Sequence, residues 1–367
     1  MTSWKDKVAL TAQRNRQEIV KAKLSRREMM RAGLLTAGGS LVLKHGLSSR
    51  AEAALTDPDT RPSPASPPVR PWAQPMPRLT IKTPVDPGKM LYGPPDGTTP
   101  IDGATKRIPH QYCSYDPNTG KYGGGAAGNF APKKFYELTM QEAKVKLHPD
   151  YAPTTVWGFD GQVPGPLIQA KYGEPIMVRY HNHLPSVKVP QAFGIAEMTT
   201  HLHNGHTPSE SDGNPINYFN SINDPNAINP NGFKDQHYPN VFAGFTDPKF
   251  GPAGDPSEAL SSLWYHDHHL DYTAQNVYKG MFGCYNLFDD KDTGTGDGLR
   301  LPHGSKDIPI FFNDFLFDQN CQTVFDLFNL DGILGDRFTA NGIIQPYLNV
   351  EKCRYRLRLY APGPSRW

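Results

Sequence analysis

The 367-residue chain has only four cysteines, no run of about 18 apolar residues, and no convincing long 3.6-residue period after its first fifty residues. The missing apolar run excludes an ordinary membrane-spanning helix. Cys113, Cys284, Cys321 and Cys353 allow at most two disulfides, and their spacing does not say which pair. His110 stands three residues before Cys113, a lone pairing that reads as structural. Positive charge is also scarce where it would count. Residues 1–53 hold eleven Lys/Arg against four Asp/Glu, so the remainder carries 27 against 32, a net of about −5. A basic surface for nucleic acid is therefore not supported. With 36 prolines, 34 glycines and no helical period, the composition suits a loop-rich β protein long enough for two domains.

What the chain does have is a pair of His-x-His frames, HLHNGH (His201 to His206) and WYHDHH (Trp264 to His269). Residues two apart on a strand share a face and sit roughly 6.6 Å apart, so each frame presents two imidazoles side by side. One frame is more often a polar surface pair than a ligand set. Two frames holding six of thirteen histidines make a metal site the stronger reading. Neutral imidazole suits Cu, Zn, Ni and Fe, and no Cys or Met lies inside either frame to favour a thiolate site. His181 and His183 form a third frame at a strand end and are expected to face solvent. His110, His148, His237 and His303 are isolated, and the same plain reading applies to them.

Taken in order, residues 1–53 read as a targeting segment: SRREMMR (Ser25 to Arg31) looks like a twin-arginine signal, an apolar run follows, and Ala51-Glu52-Ala53 offers a cleavage site. That implies a periplasmic or extracellular location. Residues 54–133 form a Pro/Gly-rich extension, with an extended tether over Thr56 to Pro77. Strand grammar begins at Phe135. FYELTMQEAKVKL, TTVWGF, LIQA and IMVRYHNHL follow one another between turn clusters, and SSLWY and KGMFGCYNLF resume after a long excursion at 214–260. After a linker at Asp289 to Gly298 come IPIFFNDF, YLNV (Tyr347 to Val350) and CRYRLRLY (Cys353 to Tyr360).

DGQVPGP (Asp160 to Pro166), THLHNGHTPSESDG (Thr200 to Gly213), WYHDH (Trp264 to His268), GMFG (Gly280 to Gly283) and CRYRLR (Cys353 to Arg358) occur in one order over residues 135–367. In that order they resemble the multicopper oxidases, nearest to the bacterial bilirubin-oxidase and spore-coat-laccase type. The resemblance implies an all-β fold: a cupredoxin-like β-sandwich at 134–290, followed by an incomplete second cupredoxin-like domain at 305–367. It further implies that His201 binds a type 2 copper, and that His203, His266 and His268 bind a type 3 pair. Asp212 matches an acidic position that helps pass protons to oxygen, with a turn Asp before Gly213 a nearly equal reading. Trp264 and Tyr265 would pack behind the ligands, with His206 and His269 outside the ligand pattern.

The activity implied is one-electron oxidation of a phenolic, pyrrolic or metal-ion donor coupled to four-electron reduction of O2 to water. A His-Cys-His run for the family's type 1 copper does not occur in the chain. The expectation is therefore a fragment that holds half of a trinuclear site, needs a missing C-terminal cupredoxin domain, and does not turn over alone. Two other classes fit less well. A dinuclear metal hydrolase would want Asp where HLHNGH has Gly205. A periplasmic copper-binding carrier of cuprous ion would be better served by a Met-rich run, and the nine methionines are scattered.

Overall fold

The computed structural model describes residues 65–93, 130–185, 193–225, 231–245, 247–250, 254–325 and 332–365, with the backbone of four two-residue strands between 101 and 122. The readings made for residues 1–53, His110, Cys113 and the triple glycine at Gly123 to Gly125 lie outside these residues.

Beside a short pair, Glu197–Met198 with Phe219–Asn220, eight strands build the two main sheets of the first region. They are β1 (Lys134–Val145), β2 (Thr154–Phe159), β3 (Gly165–Lys171), β4 (Ile176–Asn182), β5 (Thr200–His203), β6 (Phe233–Tyr238), β7 (Ser262–Asp267) and β8 (Phe282–Phe288). They form two four-stranded sheets, ordered β6-β4-β1-β2 and β5-β7-β8-β3. Alternation along β1 turns Tyr136, Leu138 and Met140 inward, while Glu137 and Thr139 point the other way. The inner faces close on one core that draws Phe159, Ile168, Val178, Tyr180, Leu202, Tyr265 and Tyr285 from both sheets. Phe159 is fully buried, edge-on to Tyr265 at 4.9 Å and to Tyr180 at 5.8 Å. Burying a side chain of that size contributes about 1.5–3 kcal/mol. The first region is thus a β-sandwich, as its strand pattern predicts.

Three sequence readings change. The excursion at 214–260 contains β6, all six residues of which are buried. Its FKDQHY pattern carries too few apolar residues to announce a strand, because polar partners inside the fold replace hydrophobic burial. YLNV is not a strand: Tyr347 exchanges backbone bonds with Gln74 and Met76, and Val350 is exposed. The Pro-rich segment is not a free extended tether over 65–77: it turns at Pro71–Trp72, where Trp72 has φ 53°, and is bonded to the body through Trp72 N to Gln345 O (2.9 Å) and Met76 N to Tyr347 O (2.7 Å). One short helix, α1 (Thr273–Lys279), precedes β8. It ends at Gly280, whose φ of 118° and closeness to Val163 and Trp157 exclude a side chain.

The second region is one sheet, β11-β10-β9-β12, from β9 (Asp307–Phe315), β10 (Arg337–Ala340), β11 (Ile343–Ile344) and β12 (Arg356–Tyr360). Phe311, Phe315 and Tyr360 pack against Phe282, Cys284 and Tyr278 of the sandwich. Arg358 locks the seam, pairing with Asp307 at 2.7 Å and donating to Ser261 O at 2.6 Å. The opposite face is only partly covered: Met76, Leu348 and Tyr355 pack over Ile308 and Ile310, while Phe312, Phe338, Leu357 and Leu359 are 48%, 52%, 52% and 66% exposed. Cys284, Cys321 and Cys353 are free thiols.

Candidate metal centre

Strands β5 and β7 are antiparallel neighbours, with His201 directly opposite His266 and His203 opposite Trp264. The two-residue repeat then sends His201, His203, Trp264 and His266 to one face of the sheet, and His268 follows two residues on. The ring of His201 lies 5.7 Å from His203, 5.5 Å from His266 and 5.1 Å from His268, centre to centre. His266 lies 5.5 Å from His203 and 5.7 Å from His268. Nitrogens of His201, His203 and His266 fall within 4.8 Å of one another. All four imidazoles singled out in the sequence are therefore brought together.

The surrounding bonds fix which nitrogens face the cluster. His201 donates from Nδ1 to the carbonyl of Asp212, and His266 donates from Nδ1 to the carbonyl of Asp267 at 2.7 Å, which leaves each Nε2 with its lone pair. Nε2 of His266 faces Nδ1 of His203 at 3.3 Å. In the metal-free molecule that pair shares one proton, and an ion held by both nitrogens would replace it. Nδ1 of His268 is buried without a partner. Burial, reinforced by the neighbouring imidazoles, lowers the pKa of His203 and His268 and pushes that of His266 down to about 3. These three rings are thus neutral near pH 7. Neutral converging imidazoles with an orphaned nitrogen are a donor set that fits copper.

Trp264 lies flat on His266 at 4.2 Å and tilts over His203 at 5.1 Å, so it forms one wall of the cluster. Tyr265 faces the other way, into the sandwich, and donates to Pro166 O at 2.6 Å. Asp212 keeps a half-exposed carboxylate 3.5 Å from Nδ1 of His201, and that carboxylate accepts from Thr207 Oγ1 at 2.7 Å. Gly213 makes this approach possible. Its φ is 78°, and a Cβ there would stand 2.3 Å from Thr200 O and 2.7 Å from His201 Cα.

His206 is exposed and stays outside the cluster. His269 is buried away from it, with Nε2 3.3 Å from Glu197 and its ring against Tyr218. The solvent-facing reading of His181 is wrong: it is 3% exposed and pairs with Glu137 at 3.3 Å, because residues 91–93 lie over that face and accept bonds from neighbouring Arg179. His148 and His237 are likewise buried, bonded to the carbonyls of Arg70 and Phe130. Sequence reasoning also missed Asp267 and Asn276. The signal was a carboxylate between two histidines, at a position whose counterpart in the first frame, Leu202, is a core residue.

Comparison with known proteins gives consistent results. Residues 139–231 match the family model described as multicopper oxidase. A laccase of Bacillus subtilis is 32% identical over 260 residues, covering 64% of this chain and 46% of the relative. A bilirubin oxidase of Albifimbria verrucaria is 29% identical over 229 residues, covering 63% of this chain and 34% of the relative. The crystal structure of a laccase from Pediococcus acidilactici superposes with a TM-score of 0.53 at 21% identity, over 84% of this chain and 49% of that one, a likeness of fold. The chain spans about half the length of the curated laccase it matches, and less of the bilirubin oxidase.

Proposed function

We propose, from a chain whose residues 139–231 match the multicopper oxidase family model, that its four clustered imidazoles hold copper. They would form one half of a centre that reduces O2 to water with electrons from a phenolic, pyrrolic or metal-ion donor. The observation that carries this reading is the convergence of His201, His203, His266 and His268 on one face of two adjacent strands. His201 is the ligand proposed for a type 2 ion, and the other three for a type 3 pair. Copper, when bound, supplies the electron storage and Lewis acidity that the reduction requires. The protein's own contribution is orientation and proton supply. Trp264 fixes the ring planes, and the carbonyls of Asp212 and Asp267 fix the tautomers. The carboxylate of Asp212, half in solvent and beside His201, can take protons from water and hold them next to the cluster.

The remaining ligands and the type 1 copper are proposed to lie outside these 367 residues. No His-Cys-His run is present, and Cys284 has Asn286 and Tyr360 as neighbours in place of histidines. The partly bare apolar face of the second sheet supports the same reading, since a further cupredoxin sheet would cover it. Export by the twin-arginine route is proposed from Ser25 to Arg31. The test is to load the purified chain with copper(II). Uptake that is lost on His201→Ala plus His266→Ala, with no blue absorption and no O2 consumption with a laccase dye, is expected. A blue, dye-oxidising chain would contradict the half-site reading.

A further inference from the structure

Three of the four clustered imidazoles belong to the hydrogen-bonded ladder, and the fourth does not. Pairing of β7 with β8 stops at His266 opposite Phe282, and pairing with β5 stops at Asp267 opposite Thr200. His268 lies past both ends. Its amide keeps one bond, to Thr199 O at 2.8 Å, and its ring has a buried nitrogen with no partner. A ladder holds a side chain because both neighbours fix the backbone, so His268 needs another restraint to stay 5.1 Å from His201.

That restraint is the preceding side chain. Asp267 points to the opposite side of the strand from the imidazoles and is fully buried. Its Oδ1 accepts from Thr199 N at 3.0 Å, and its Oδ2 accepts from Asn276 Nδ2 at 2.8 Å and His269 N at 3.2 Å. Asn276, on α1, accepts in turn from Ile195 N at 3.0 Å. One carboxylate thus ties the entry of β5, the turn after β7 and helix α1 to a single point. Charge-assisted bonds of this kind are shorter and about twice as strong as neutral ones, and three of them converge here.

We propose that Asp267 is a positioning residue that holds His268 in register with His201, His203 and His266. The proposal rests on the copper reading above and deepens it. The geometry also specifies how a substitution should fail. In Asp267→Asn one carboxylate oxygen becomes a donor, so one group of N–H partners meets an N–H. The reciprocal exchange D267N/N276D restores a donor–acceptor pair between the two side chains and keeps the acceptor for Ile195 N.

The experiment is copper(II) titration of the whole chain followed by electron paramagnetic resonance, with the thermal midpoint of the metal-free chain measured alongside. D267N should weaken copper binding about 10- to 100-fold. Combining it with His268→Ala should weaken binding no further than H268A alone, and D267N/N276D should recover most of the loss. Where D267N does not fold, Asn276→Ala removes one of the three bonds and should shift affinity the same way by less. Wild-type affinity and spectrum in D267N, or losses that add to those of H268A, would overturn the clamp while leaving the copper reading intact. Failure of the unsubstituted chain to take up copper would overturn the copper reading and the clamp with it.

Discussion

The sandwich and the single sheet that follows it are made of similar strands but solve opposite problems. In the sandwich every inner face meets another, so Phe159, Tyr180 and Tyr265 are buried and the outward histidines of β5 and β7 are held on a rigid wall. In the second region one face grips the sandwich through Phe311 and Tyr360, and the other leaves Phe312, Phe338, Leu357 and Leu359 bare. The contrast teaches that the metal-binding wall is backed by a closed core, whereas the second sheet is fully covered on one side and only partly, by Met76, Leu348 and Tyr355 over Ile308 and Ile310, on the other.

The largest test of that difference is Phe159→Ala against Leu359→Ser. The first empties a closed core and should cost about 3–5 kcal/mol in urea unfolding. A cost under about 1 kcal/mol would mean the core is not closed as described. Next, Gly213→Ala should destabilise by about 1–3 kcal/mol and displace Asp212 from His201, so that copper affinity falls with the strands intact by circular dichroism. Unchanged affinity would remove that turn from the site.

The seam between the regions gives a pH signature. Lys279 is held between Trp157 at 4.4 Å and Phe193 at 4.6 Å, and burial pushes its pKa down to about 8. Between pH 8 and its ordinary value the unfolded chain binds more protons at this site than the folded one, so stability from this group rises with pH. The rise is at most about 1.4 kcal/mol per pH unit. Buried tyrosines such as Tyr278 act in the opposite sense above about pH 10, because burial raises theirs. Lys279→Met should therefore flatten the slope of unfolding free energy between pH 7.5 and 9.5, and an unchanged slope would contradict the burial. The smallest effect belongs to the partly bare face. Leu359→Ser should change stability by no more than about 0.5 kcal/mol yet reduce self-association in sedimentation. A clear loss of stability would mean that face is covered.

Strands with a strong local signal were legible in advance: β1 lies close to where alternation placed it, and β2 and β9 to where β-branched and aromatic runs did. So were the two His-x-His frames that carry the four histidines, although alternation also marks His181 and His183, and only the resemblance singled out His201, His203, His266 and His268. What escaped reading depends on contacts distant in sequence. FKDQHY became β6 because its polar side chains find partners inside the fold, Asp235 with Arg179 and His237 with the carbonyl of Phe130. His181 is buried because residues 91–93 cross over it, and Asp267 matters because of Thr199 and Asn276. None of these pairings leaves a local pattern.

The most direct test of the central claim is anomalous diffraction at the copper edge from crystals of the chain grown with copper(II). The account predicts a peak enclosed by His201, His203, His266 and His268. Density bound elsewhere, with nothing between those four rings, would contradict it.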